Sequence, residues 1–179
     1  MEKASKTAFD GQKLDKTASV VVKLLIGRNM KVASAESCTG GMVSAAITSV
    51  SGSSQVFDLG VCTYANEMKM KLLGVSADTL TEYGAVSPQT AEQMADGVRK
   101  LAGADYGVST TGIAGPGGAI EGKPVGTVYI AVSTKEKTIS KLIFTDTENL
   151  GGETDKRGYV RMSSTLAVLE MLAEIMVQS

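Results

Sequence analysis

The feature that most constrains this chain is a change of hydrophobic period that recurs along it. Residues 13–29 carry Leu14, Ala18, Val21, Val22 and Leu25 at helical spacing, the stripe of an amphipathic helix. Residues 31–36, "KVASAE", are a short buried run of strand length, and residues 40–50 return to helical character, rich in small side chains. Residues 56–65, "VFDLGVCTYA", have the aromatic and β-branched content of a strand. Helical segments follow over 66–74, stopped by Gly74, over 75–84, and from Ser87-Pro88 to near Leu101. There Ser at the cap and Pro in the first turn mark a helix start. Three strands are expected over 105–115, 124–134 and 138–145, the last two joined as a hairpin by "KEK". Residues 156–177 read as a closing helix with Leu166, Leu169, Leu172 and Met176 on one face.

Strands separated by helices require parallel crossovers, and the hairpin adds an antiparallel pair. The order predicts an α/β fold: a three-layer α/β/α sandwich with a mixed, mostly parallel sheet. A single domain is expected over 13–179, behind a flexible polar tail over 1–12. In such folds the working loops sit where strands lead into helices.

Composition closes several routes. The chain has 179 residues and a formal net charge of −1, so one domain is expected and nothing suggests a nucleic-acid footprint. No apolar run reaches the ~18 residues of a membrane span, and residues 1–12 lack the apolar core of a signal peptide. The expectation is a cytoplasmic protein that engages neither membrane nor nucleic acid. Cys38 and Cys62, the only cysteines, then read as free thiols. There is no histidine. Ser-His and Cys-His catalysis and a His-ligated metal are therefore closed within one chain, and two thiols cannot make a four-cysteine zinc site. No metal is expected.

Three loops should converge on one rim. The first, "ESCTGG" over 36–41, precedes a helix. Ser37 there is either a cap or a nucleophile beside unpaired backbone N–H groups. Gly40 and Gly41 either pack the helix or let its backbone approach a ligand. Cys38 competes as nucleophile, because a thiol at a helix start can be acidified. The second, "YANEMK" over 64–69, offers the base that histidine would otherwise supply. Lys69 lies in a helical first turn, where the positive end of the dipole disfavours the ammonium, and burial would depress its pKa further. The bland alternative is a solvated lysine like Lys71. The third, "TTGIAGPGG" over 110–118, is glycine-rich without matching a dinucleotide or P-loop pattern; Thr110 and Thr111 offer hydroxyls. Arg157 and Arg161 are four apart on the last helix, either a solvated face or a guanidinium pair suited to phosphate or carboxylate.

Taken together, "SAESCTGG", "SGSSQVF", "TYANEMKMKLLGV", "YGAVSPQTAEQMA", "GVSTTGIAGPGG" and "KPVGTVYIAV" resemble the CinA C-terminal domain family, in order and spacing, from about residue 14 to the end. The best-known activity of that family is nicotinamide-nucleotide amidohydrolase. The resemblance implies hydrolysis of the carboxamide of nicotinamide mononucleotide (NMN), giving nicotinate mononucleotide and ammonia, with no metal or organic cofactor. It also implies a homo-oligomer, at least a dimer. Position by position, Ser37 matches the nucleophile and Lys69 the general base. Tyr64 and Asn66 match the tyrosine and asparagine of a Tyr-x-Asn-x-x-Lys pattern, which implies a catalytic Tyr64 that orients Lys69 or stacks on the pyridine ring, and a substrate-binding Asn66. Gly52 matches the glycine of a Gly-Ser-Ser loop, and Thr111 the hydroxyl residue before Gly-Ile-Ala-Gly-Pro. Arg157 and Arg161 match an Arg-x-x-x-Arg pair, although the entry "GGETDKRG" is longer here than the Gly-Asp-Arg usual in the family. The resemblance implies oxyanion donors near Gly40 or Gly52, and Thr111 and the arginines on the ribose phosphate. Two other readings stand beside it: an inactive nucleotide-binding or regulatory module, and an amidohydrolase for a different carboxamide.

Overall fold

The computed structural model describes residues 11–151 and 155–178. In chain order the elements are α1 (Gly11–Arg28), β1 (Val32–Glu36), α2 (Met42–Thr48), β2 (Phe57–Cys62), α3 (Asn66–Leu73), α4 (Ala77–Glu82), α5 (Pro88–Ala102), β3 (Tyr106–Gly112), β4 (Thr127–Ser133), β5 (Thr138–Phe144) and α6 (Lys156–Gln178). A single 3₁₀ turn, Ser53–Gln55, lies in the loop before β2. The helix expected from residue 13 begins at Gly11, so Gly11 and Gln12 belong to it and not to the tail. The rest of that tail, 1–10, lies outside the described residues.

The five strands form one sheet in the order β2-β1-β3-β4-β5. β1 pairs in parallel with both β2 and β3, while β3–β4 and β4–β5 are antiparallel. Only β4 therefore runs against the common direction, which is the mixed, mostly parallel sheet that the element order predicts.

Strand alternation sorts the two faces. Val32, Val108, Val128, Ile130 and Val132 pack with α1, α2 and α6 in the larger core. Ala33 and Ala35 face the opposite side with Met94 and Val98 of α5 and Leu73 of α3. That second face is made of small residues so that α5 can lie close. A Cβ on Gly107 would come 2.1 Å from the carbonyl oxygen of Ala95, and Ser109 Oγ donates to the carbonyl of Ala91 at 2.6 Å. α5 starts as expected, with Ser87 Oγ accepting from the Thr90 amide and Pro88 in the first turn.

Some boundaries are shorter than the periodicity predicts. α2 begins at Met42, not at residue 40, because Gly40 and Gly41 take φ of 58° and 97°, a left-handed conformation that cannot extend a helix. β2 stops at Cys62 and β3 at Gly112, and the chain beyond each strand forms the rim on which the candidate site lies.

Candidate active site

The rim is built where β1, β2 and β3 end. The Ser37 amide donates to the Thr110 carbonyl at 2.9 Å, and the Thr63 amide donates to the Glu36 carbonyl at 2.9 Å. These bonds continue the parallel register past the strands. They set Thr63, Ser37 and Thr111 in a row on the face covered by α3 and α5.

Lys69 reaches into this row from α3. Lys69 and Leu73 are the buried residues of that helix, four apart on one side. The lysine thus occupies a position where an apolar residue is expected, and it is 1% exposed. Its Nζ lies 3.3 Å from Ser37 Oγ, 2.9 Å from the Thr63 carbonyl and 3.2 Å from the Tyr64 carbonyl. None of the ion pairs found among the described residues involves it. Burial lowers the pKa of Lys69, opposed by the fields of Cys38 and Glu67. Burial pushes the Cys38 thiol the other way, up to about 12. The environment therefore shifts the amine toward its uncharged form and keeps the thiol un-ionised.

Nζ thus has three oxygen partners, two carbonyls and the Ser37 hydroxyl. They satisfy the three hydrogens of an ammonium; in a neutral –NH₂, with two hydrogens and one lone pair, the hydroxyl is the partner able to reverse its role and donate.

Next to Ser37 in sequence, Cys38 opens onto a cleft of about 240 Å³ that is lined also by Tyr64, Arg157 and residues of the glycine-rich segment, Gly112–Gly115, Gly117 and Gly118; Ser37 and Lys69 lie behind this lining. Tyr64 is 65% exposed at this cleft. Arg157 donates to the Gly115 carbonyl at 2.6 Å and to the Tyr64 hydroxyl at 3.4 Å. Arg161 donates to the Thr39 carbonyl at 2.7 Å. Both guanidiniums are held by neutral acceptors. Gly40 makes room for the second, since a Cβ there would lie 3.3 Å from Arg161 Nη2. Residues 152–154 of the entry "GGETDKRG" lie outside the described residues, but the two arginines that follow do open α6.

The structure brings Ser37, Lys69, Tyr64, Gly40, Gly41, Thr111, Arg157 and Arg161 to one rim. Asn66 opens α3 and is exposed. Thr111 is buried, and its hydroxyl donates to the Ala85 carbonyl at 2.7 Å. One expectation needs correcting. Gly52 caps the 3₁₀ turn ahead of β2, next to Ile26 of α1. β2 begins opposite Val32, at the start of β1, so Gly52 lies at the far edge of the sheet and cannot serve Ser37 within one chain. The start of α2 has several of its backbone donors engaged. At Gly41, Val43 and Ser44 these donors are taken by the Glu36 carboxylate, at 2.8, 3.0 and 2.9 Å, so an oxyanion there would have to be met by other amides of the turn, such as that of Gly40. Glu36 is fully buried. Sequence reading passed over it, and the signal available was an acid just ahead of a helix start.

The fold and rim together define an α/β sandwich with a buried amine–hydroxyl pair at the carboxyl ends of its parallel strands. The profile of the CinA C-terminal domain matches residues 14–176, and the chain belongs to that family. A relative in Caldanaerobacter subterraneus subsp. tengcongensis, whose name ties it to competence-damage induction, is 47% identical over 165 residues, covering 92% of this chain and 37% of its own length. A CinA-like protein of Endomicrobium trichonymphae is 55% identical over 126 residues, covering 70% of this chain and 29% of its own. The chain thus spans between 29% and 37% of the length of these relatives. Among solved structures, the competence/damage inducible protein CihA of Agrobacterium tumefaciens superposes with a TM-score of 0.84 at 37% identity, over 94% of this chain and 98% of that one. A CinA superfamily protein of Klebsiella pneumoniae gives 0.85 at 30% identity, over 93% and 99%. Among the described residues no helix is long and apolar enough to cross a membrane.

Proposed function

We propose that this chain hydrolyses the carboxamide of NMN to nicotinate mononucleotide and ammonia by a Ser-Lys mechanism. The observation that carries the reading is the buried Lys69 amine, 3.3 Å from Ser37 Oγ with its other partners both carbonyls. In a site without histidine, such an amine is the group able to take a hydroxyl proton.

The steps balance as follows. Ser37 Oγ attacks the carboxamide carbon while its proton passes to Lys69 Nζ. The ammonium so formed has three hydrogens and three acceptors in place. It returns one proton to the departing nitrogen, which leaves as ammonia when the C–N bond breaks. Water then attacks the acyl-enzyme, Lys69 takes a proton from the water, and the ester bond to Ser37 breaks with return of that proton. Tyr64 and Arg157 meet at the cleft and would flank the nucleotide. Planar guanidiniums held only by neutral acceptors suit its phosphate.

The test is incubation of purified protein with NMN, following ammonia and nicotinate mononucleotide, beside Ser37→Ala. Release by the wild type and its loss in the folded variant support the proposal. No release from NMN, with release from another carboxamide, would replace the substrate and keep the mechanism. Undiminished release by Ser37→Ala would remove the mechanism.

A further inference from the structure

Glu36 and Ser37 are adjacent in sequence and face opposite sides of the sheet. Ser37 looks toward Lys69. Glu36 looks toward α2, and its two carboxylate oxygens accept from a ring of donors. Oε2 takes Thr39 Oγ1 at 2.7 Å and the amides of Gly41 and Val43 at 2.8 and 3.0 Å. Oε1 takes the Ser44 amide at 2.9 Å and Ser44 Oγ at 2.8 Å. No lysine or arginine pairs with it among the described residues. A charged group buried in this way is held by donors alone, helped by the positive end of α2.

The carboxylate reels the turn over 38–41 under the end of β1, and that turn forms part of the site. Cys38 lines the cleft. The Thr39 carbonyl anchors Arg161 at 2.7 Å, and the Thr39 hydroxyl meets that of Thr110 at 2.7 Å. One hydrogen-bonded chain therefore runs from Glu36 through Thr39 to α6, behind the sheet as seen from Lys69.

We propose that Glu36 is a positioning residue for the reaction. It fixes the turn that follows the nucleophile, and so holds Ser37 against Lys69 and Arg161 on the Thr39 carbonyl without touching substrate. Only a carboxylate suits the place: every neighbour donates, and the –NH₂ of a glutamine would face donor hydrogens. The proposal rests on the Ser37–Lys69 reading above.

The experiment compares Glu36→Gln with wild type, using NMN as substrate and protein shown to be folded by circular dichroism and a urea transition. A positioning role predicts a kcat per folded molecule lower by roughly 10²-fold, the cost of a misplacement of about 1 Å. The acid limb of the pH profile should stay in place, since burial is the main cause of the lowered Lys69 pKa and Glu36 is not among the charges acting on it. A folded variant with wild-type kcat overturns the proposal, and so does a displaced acid limb, which would mean that Glu36 acts by tuning the amine. Should Glu36→Gln fail to fold, Thr39→Val is read by the same criteria. If wild-type protein releases no ammonia from NMN, the comparison is made on the rate at which a fluorophosphonate labels Ser37. Slower labelling in the variant supports positioning even though the substrate is wrong; equal labelling, or an unlabelled wild-type Ser37, overturns it.

Discussion

Lys69 Nζ and Ser37 Oγ, 32 residues apart in sequence, stand 3.3 Å from each other in the interior of the rim. The helix carrying the amine packs on α5, and the strand carrying the hydroxyl lies beneath the same helix. The distance between the two atoms is therefore set by core packing as much as by the loops.

Replacing the amine by a thioether of similar length tests its role directly. Lys69→Met should lower kcat by about 10²–10⁴-fold, the usual contribution of a general base. The same change removes a buried ionisable group and should leave the thermal midpoint unchanged or raised. Ammonia release and a thermal melt read the two effects separately.

The lowered pKa of Lys69 also fixes a sign. Between its folded value and the ordinary lysine value of 10.5, the unfolded chain holds the extra proton, so the contribution of this group to stability rises with pH. It is fully present above the unfolded value and is lost as pH falls through the folded one. Activity should rise over the same limb as the free base forms. Urea unfolding across alkaline pH should show a steeper rise in wild type than in Lys69→Met.

Cys38 is adjacent to the nucleophile but has its thiol pushed up to about 12 by burial, and a thiol is a poor nucleophile until ionised. Cys38→Ala should keep ammonia release within a fewfold of wild type. A folded but inactive variant would reassign the nucleophile.

Arg157 spans the Gly115 carbonyl and the Tyr64 hydroxyl. Arg157→Ala should raise KM for NMN by about tenfold or more with a smaller effect on kcat, given the ~1.5–3 kcal/mol of a hydrogen bond to a charged group. Arg157→Lys should recover little, because a point charge cannot span both acceptors and a phosphate. Steady-state kinetics on both variants checks this.

A change far from the rim should reach it through α3. A Cβ on Gly97 of α5 would lie 2.0 Å from the Leu73 carbonyl oxygen, at the end of the helix that carries Lys69. Gly97→Ala should cost about 1–3 kcal/mol in urea unfolding, as overpacking does, and should lower kcat in the molecules that remain folded.

Much of this arrangement was legible in the residues. The alternation of periods gave the layers, and the missing histidine directed attention to Lys69. The parts that were not legible have physical reasons. Glu36 is read only through its partners, which are mostly backbone amides of a helix not yet placed when the chain is a string. Gly52 lies close in sequence to the rim segments, yet the loop after α2 returns the chain to the far end of the sheet before β2 starts. Thr110 and Thr111 look equivalent as letters; alternation sends the first to Thr39 and the second to the Ala85 carbonyl. Helix and strand ends moved by a few residues wherever glycine dihedrals or the end of pairing outweighed propensity.

The proposed reacting groups and the proposed phosphate holders come from different stretches of the chain. Ser37 and Lys69 belong to the first βαβα segment, whereas Arg157 and Arg161 ride on the final helix and hydrogen-bond to the rim at Gly115, Tyr64 and Thr39. Point changes at these two side chains, with the apolar face of α6 kept, are thus a route to altered recognition in which the reacting pair itself is not rewritten.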